Sequence, residues 1–323
     1  MILKLFLISV AVSFSFAANW LMLQGTESKV THRPWGFVQV RYQNNESDTL
    51  VSNGVNKTPF SYIKPTLENQ SELQLARARF GIRGSLDDDN NINYFLLTEL
   101  APNGVNNPLD ENTPSYLVDA SLTFKYLPIY VRLGRFKYAG SEEGHMARFV
   151  SPFIMFSTVG DQLMLERFTN KPLDRPSQGV GAYRDTGVQF FQAFDIAQNS
   201  QVTLSYMIGN GSGLEYHNIN NNNYTHYLYS SYENILGGGK GYRQESLKLY
   251  GWYQNGKRKL QVNNQDELYD RVRYGLGFTY YQNKLRIEGE YMKGKGMIFT
   301  GSKDVNSDKN KEEWHYSVQA DKE

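Results

Sequence analysis

The sequence predicts an all-β protein, an antiparallel transmembrane β-barrel of about twelve strands. Three observations carry that expectation. Segments of period two recur along the chain, with one apolar face and one charged or hydroxylated face. Short and long polar connections alternate between them. The chain also opens on an export leader, yet no later stretch is long and apolar enough for a spanning helix.

Residues 1–18 form the leader. Lys4 supplies the positive start, residues 5–12 the apolar centre and Ser15-x-Ala17 the small-residue cleavage signature of a signal peptide. Residues 19–323 are then the barrel domain. Cysteine is absent, which excludes a disulfide framework and a thiol-ligated metal. The formal net charge of +1 gives no bulk field toward nucleic acid, so any electrostatic function depends on where the charges sit. Aromatic content is 14%, with 23 tyrosines against 4 tryptophans, as suits residues at membrane interfaces.

The strands follow in order. Residues 36–42 set Val38, Val40 and Tyr42 against Phe37, Gln39 and Arg41. Residues 73–84 set Ala76, Ala78, Phe80 and Ile82 against Arg77, Arg79 and Arg83. Residues 92–100 form a third strand. The hairpin of residues 116–137 turns at Leu127-Pro128. Its first half puts Tyr116, Val118, Ala120, Leu122, Phe124 and Tyr126 opposite Leu117, Asp119, Ser121, Thr123 and Lys125. Residues 185–194, 201–209, 246–254, 271–281, 285–293 and 314–320 read as further strands, with 257–262 a weaker one. Short turns are expected at 87–91, 127–128, 197–200, 255–256 and 281–284. Longer loops are expected at 43–72, 101–115, 138–184, 210–245, 263–270 and 294–312. A soluble sandwich could supply any one such strand, but Greek-key connections have no reason to alternate in length.

Charge on the water-facing rows supplies the candidate site. Arg77, Arg79 and Arg83 share one strand face, and on a lipid face each would cost about 2–4 kcal/mol near the midplane. Arg41, Lys125, Arg271, Arg273 and Arg286 fall on the same predicted side, while Asp119, Asp185, Glu288 and Glu290 also point inward. Guanidinium and ammonium groups along a narrow lumen attract anions and hold oxyanions by paired hydrogen bonds. Residues 138–184 are less polar than a solvated loop, with Phe149, Phe153, Ile154, Met155, Phe156, Leu163, Met164, Leu165 and Phe168. Such a segment is expected to pack on the inner wall and form a constriction near Lys137, Arg148, Arg167, Lys171, Arg175 and Arg184. Arg135 joins this set from the strand that leads into the loop. The pore and anion-binding candidates are Arg77, Arg79, Arg83, Lys125, Arg135, Lys137, Arg167 and Arg184.

Catalysis has no counterpart in the pattern. His32, His145, His217, His226 and His315 are scattered without metal-ligand spacing, and the glycine-rich stretches 209–213 and 237–239 lack the lysine and helix of a phosphate loop. No cofactor, metal or nucleic-acid partner is expected.

Several blocks, taken in order, carry a resemblance. They are LQLARARFGIRGSL (73–86), INYFLLTELA (92–101), VRLGRFK (131–137), MLERF (164–168), RDTGVQFF (184–191), YGLGFTYYQNKLRIEGEYM (274–292) and WHYSVQA (314–320). Together they resemble the phosphate-selective porin family of Gram-negative outer membranes. The resemblance implies a sixteen-stranded barrel, usually a homotrimer in outer-membrane lipid. It also implies passage of small inorganic anions, phosphate among them, through an arginine ladder and a lysine-lined constriction. By matching motif, Arg77 and Arg79 belong to the ladder, and Lys137 and Arg184 lie near the constriction. Tyr138-Ala139 stands where the family often has Pro-Phe after its Gly-x-Phe-Lys element. The final Asp321-Lys322-Glu323 is not the aromatic end usual for such barrels, so the expectation is that about four further strands are missing here. Two alternatives stay open: a porin preferring cations or neutral solutes, and an exported β-rich adhesin or receptor whose Asn- and Tyr-rich loops bind a partner.

Overall fold

A computed structural model describes residues 30–44, 50–52, 55–57, 71–101, 116–154, 156–164, 167–170, 175–179, 183–214, 218, 220, 222–239, 241–262, 265–296 and 321–322. The expected leader at 1–18, the expected strand at 314–320 and Lys171 lie outside them. In chain order the elements begin with β1 (Arg33–Asn44), β2 (Leu50–Ser52), β3 (Val55–Lys57), β4 (Ser71–Ser85) and β5 (Ile92–Glu99). Next come β6 (Tyr116–Phe124), β7 (Tyr130–Lys137), the short helices α1 (Glu142–His145) and α2 (Thr158–Met164), β8 (Arg167–Asn170) and β9 (Arg175–Gly179). The remainder is β10 (Arg184–Ala197), β11 (Ser200–Gly209), β12 (Thr225–Ile235), β13 (Ser246–Val262), β14 (Gln265–Gln282), β15 (Leu285–Lys295) and β16 (Asp321–Lys322).

Twelve of these strands form one sheet in the order β1-β4-β5-β6-β7-β10-β11-β12-β13-β14-β15-β16, each antiparallel to its neighbours. The pairs β2–β3 and β8–β9 are separate hairpins inside connections. Side chains alternate as lipid outside and polar groups inside require. On β14, Leu276 is 68% exposed, whereas Arg271 and Arg273 are 0% and 1% exposed. Val38, Val40, Leu204, Leu249 and Ile287 extend the exposed apolar face across the sheet. A contiguous band of this kind in water would be an aggregation surface, and in a bilayer it is the solvated one. The fold is therefore an antiparallel transmembrane β-barrel, as the period-two pattern predicts.

The wall curls around residues 138–164. That segment bonds to β1 and β4 through Gln39 and Arg77, and to β13 and β14 through Lys248 and Arg273. A flat sheet could not bring strands from both ends of its order onto one segment. Between the segment and strands β10–β15 lies the apolar core, including Tyr138, Leu163, Met164, Phe191, Met207 and Trp252.

Two expectations need correction. The stretch 210–245 is not one loop, because β12 runs through it. Its inward row holds Thr225, Tyr227, Tyr229, Ser231 and Glu233, and its outward row His226, Leu228, Ser230 and Tyr232. Tyrosine on both faces cancels the hydropathy contrast that marks a strand in sequence. Nor is Asn255-Gly256 a turn. β13 is one strand of 17 residues that absorbs the weak candidate 257–262, and Gly256 pairs with Arg271 of β14. The expected loop 263–270 thereby shortens to a two-residue connection between β13 and β14. Gly256 is glycine for lack of room, since a Cβ there would stand 2.1 Å from Thr225 Oγ1. Beyond the last β12 pair (His226 with Asn255) and the first β15 pair (Val272 with Lys295), β13 and β14 pair only with each other, as a hairpin whose base is bonded to Asn220 through the Lys259 N–H. With β12 restored, the connections at 86–91, 125–129, 198–199, 236–245 and 283–284 gather at one end of the sheet. The infolded connections belong to the other end.

Candidate functional site

The site begins where β7 runs out of alternation. From Arg135 through Glu142 every residue is buried, because the chain passes from the wall straight into the lumen. Lys137, the last residue of β7, donates through Nζ to the carbonyl oxygens of Gly144 and Met146, each at 2.8 Å. An ammonium with three donors and no acceptor suits an end of a short helix that leaves carbonyls unpaired.

The segment is held on its other sides as well. Ser141, the N-cap of α1 with φ 56°, accepts from the Gly144 N–H and donates to Glu290 of β15. Glu142 pairs with Lys248 of β13 and accepts from the Tyr229 hydroxyl of β12. Glu143 accepts from the Ser157 N–H and hydroxyl, both at 2.6 Å, and Ser157 in turn accepts from the Gly160 N–H of α2. Phe149 lies against Trp35 and Phe37 of β1, with ring centroids 5.8 and 5.6 Å away. Residues 138–164 thus pack on the inner face, as the apolar residues of the stretch suggest.

Against this segment the wall presents cations, and most have protein partners. Arg77 donates through Nη1 to Gln39 at 2.8 Å and to the Ile154 carbonyl at 2.9 Å. Arg79 pairs with Glu99 at 2.7 Å, and Arg184 reaches both oxygens of Asp119 at 3.0 and 2.9 Å. Arg273 donates to the Leu163 carbonyl at 2.7 Å, and Arg271 to Gln254 at 2.9 Å. Arg148, on the segment itself, donates to the Glu143 carbonyl and lies 4.4 Å over the Phe156 ring. Burial pushes its pKa down despite Glu143 beside it. Arg148 Nε and Nη1, and Arg77 Nε, are buried without a hydrogen-bond partner among the described residues.

Of the expected pore residues, Arg77, Arg79, Lys137 and Arg184 come together around the segment with Arg148. Three others do not. Lys125 lies beyond the end of β6, its N–H on the Asn91 carbonyl and its ammonium over the Tyr130 ring, so it belongs to the short-turn mouth. Arg83 is half-buried near that mouth, with its guanidinium 5.8 Å over Trp35. Arg135 stands opposite Ala120 and Thr186, out of step with the row of Arg132, and donates to the Leu117 carbonyl at 3.0 Å. Gly134, at φ 118°, precedes it. Arg167 is in β8, and its side chain and that of Arg175 lie outside the described residues. Glu288 lies on the inward row of β15 with Arg286 and Glu290, is solvated there, and pairs with Arg286.

Sequence reasoning missed Arg132 and Lys248, buried on the inner wall, and Arg258, buried at the base of the β13–β14 hairpin. Arg132 is fully buried, donates to Thr123 at 3.1 Å and to Gln189 at 3.3 Å, and lies 4.5 Å over Phe191. The signal was available, since Thr123 and Gln189 are inward positions that oppose it in register. Arg258 went unseen because the break assumed at Asn255-Gly256 cut its strand short, whereas Lys248 lay within the expected strand 246–254 and was not singled out.

A second connection also folds inward. Asp185 accepts from the Gly211 N–H at 2.6 Å and the Tyr227 hydroxyl at 2.8 Å, while Asn220 donates to the carbonyls of Asn210 and Gly211. Taken together, twelve basic side chains and five carboxylates are buried among the described residues. The chain as a whole is close to neutral, so its charge has been sorted by position rather than by amount.

No protein-family model matches the chain, and no curated protein matches it. Similar solved structures include the in-vitro folded outer membrane protein OmpT of Vibrio cholerae in its trimer form. That match has a TM-score of 0.37 at 10% identity and covers 82% of this chain and 78% of that one. Another is a mutant of the Rhodopseudomonas blastica porin, with a TM-score of 0.30 at 12% identity, covering 83% of this chain and 95% of that one. The fold assignment rests on the sheet itself.

Proposed function

We propose that this chain is an outer-membrane porin, a passive channel for small anions, with phosphate-like oxyanions the class best suited to its lining. The observation that supports this is the excess of buried cations over buried carboxylates around an infolded segment. Pairing within the wall neutralises Arg79 with Glu99 and Arg184 with Asp119, and pairing with the segment neutralises Lys248 with Glu142. What remains is net positive, and guanidinium groups supply the paired donors that oxyanions accept. Outer-membrane lipid would cover the exposed apolar band. The test is the reversal potential of the purified protein in a planar bilayer under a potassium chloride gradient. A potential of the sign set by chloride flux supports the reading, and competition by phosphate against chloride current then tests the oxyanion class. A cation-selective potential overturns the anion reading and leaves the channel standing. Protein soluble without detergent and without channel activity overturns both, in favour of an exported adhesin.

A further inference from the structure

One buried titratable group takes no part in the lining described above. His145 ends α1, is 2% exposed, and neither of its ring nitrogens has a hydrogen-bond partner among the described residues. A buried polar ring left in this state is unusual and costs stability unless something else requires it. Its surroundings are cationic. Lys137 and Arg132 of β7 and Lys248 of β13 act on it electrostatically, and Lys137 also grips the carbonyls on either side of it.

The nearby carboxylates are already engaged. On its own segment, Glu142 is held by Lys248 and Tyr229, and Glu143 by Ser157. Arg148, also on that segment, adds another positive charge. From β6 and β10, Asp119 and Arg184 satisfy each other, and on β15 Glu290 accepts from Ser141 and Trp252. An imidazolium formed here would be a buried charge among like charges, beside the ammonium that docks the segment.

We propose that His145 is an acid-sensitive latch: neutral, it lets residues 138–164 dock on the inner wall, and its protonation releases them and changes conductance. This rests on the channel reading above. Burial, and then the charges of Lys137, Arg132 and Lys248, hold the docked imidazole well below its ordinary pKa of 6.5. A released segment in water regains the ordinary value. The released state therefore binds more protons, and docking is undiminished above about pH 6.5. As pH falls further, the docked-to-released ratio drops up to about tenfold per unit until the docked pKa is reached.

Single-channel recordings of the full chain from pH 7.5 to 4.5 test this, for the wild type and for His145→Gln. The expected result is a conductance or gating change in the wild type that begins below about pH 6.5, and its loss in His145→Gln. A wild-type channel whose conductance is flat across this range overturns the latch while leaving the channel reading intact. An unchanged pH response in His145→Gln overturns it too, by assigning the response to other groups. Should that variant fail to insert, proteolysis of the wild type by an enzyme active at both pH 7.5 and pH 5 reads the release directly. New cleavage within 138–164 at pH 5 supports the latch, and equal protection at both values sinks it.

Discussion

Two lysines with the same chemistry stand in opposite circumstances. Lys137 is 6% exposed at the root of the infolded segment, with its ammonium on two backbone carbonyls at 2.8 Å. Lys257 lies on the β13–β14 hairpin, where its side chain is 48% exposed and faces Asp270, 67% exposed, at 3.7 Å. In the first place the alternative to the bond is an unsolvated charge and two unpaired carbonyls. In the second the alternative is water. The difference teaches that the inner wall is held by its charges and the hairpin by its backbone ladder.

The largest effect is expected where two buried ions depend on each other. Arg79→Met leaves Glu99 buried without its guanidinium, which should destabilise the barrel by about 3–5 kcal/mol. The double variant Arg79→Met with Glu99→Leu should recover most of that loss, because neither member is then left charged and unpaired. Urea unfolding in detergent micelles measures both. If the double variant is as unstable as the single, the pair is not the reason Arg79 matters.

Lys137→Met comes next. It keeps the length of the side chain and removes the three donors, so the Gly144 and Met146 carbonyls lose their partner at about 1–3 kcal/mol each. Most of this should fall on docking of 138–164 rather than on the sheet, whose ladders do not use Lys137 Nζ. The expected readout is a noisier channel of altered conductance with a nearly unchanged global unfolding midpoint. A silent, wild-type conductance would show that the Glu142, Phe149 and Arg273 contacts hold the segment without it.

How much of this was legible follows from what each signal depends on. Lipid forces an apolar outer row, so the strands carrying Val38, Val40, Phe80 and Leu276 announce themselves. The inward path of 138–164 was visible because Leu163 and Met164 had to be buried somewhere, and they are. β12 was hidden because Tyr227 and Tyr229 face in while Tyr232 faces out. Asn255-Gly256 misled because its usual meaning, a tight hairpin turn, was displaced by a close approach to Thr225 that no local pattern records. Which cations bind neighbours and which face the lumen was beyond reach, since that depends on register between strands such as β5 and β6. There a shift at Leu97 and Thr98 brings Asp119 opposite Leu97.

A change at the junction of the two regions should have an intermediate effect. Gly256→Ala puts a methyl against Thr225, where β12 ends and the hairpin begins, and overpacking of this kind costs about 1–3 kcal/mol. If Asn255-Gly256 were a flexible turn, alanine would instead be tolerated there. Unfolding stability of the variant distinguishes the two, and a value within error of the wild type would revive the turn.

The smallest effect sharpens the comparison most. Asp270→Asn removes the charge facing Lys257, yet both side chains are solvated and the 3.7 Å separation is loose. Exposed pairs of this sort contribute about 0–1 kcal/mol, and less as salt rises. The ladder from Gly256 with Arg271 to Val262 with Gln265 is untouched by the substitution. Stability and conductance should therefore both match the wild type at moderate salt. A change in selectivity from so distant a group would mean that the hairpin tip sends its field into the pore entrance. The inner wall would then no longer be the sole place where this chain sorts charge.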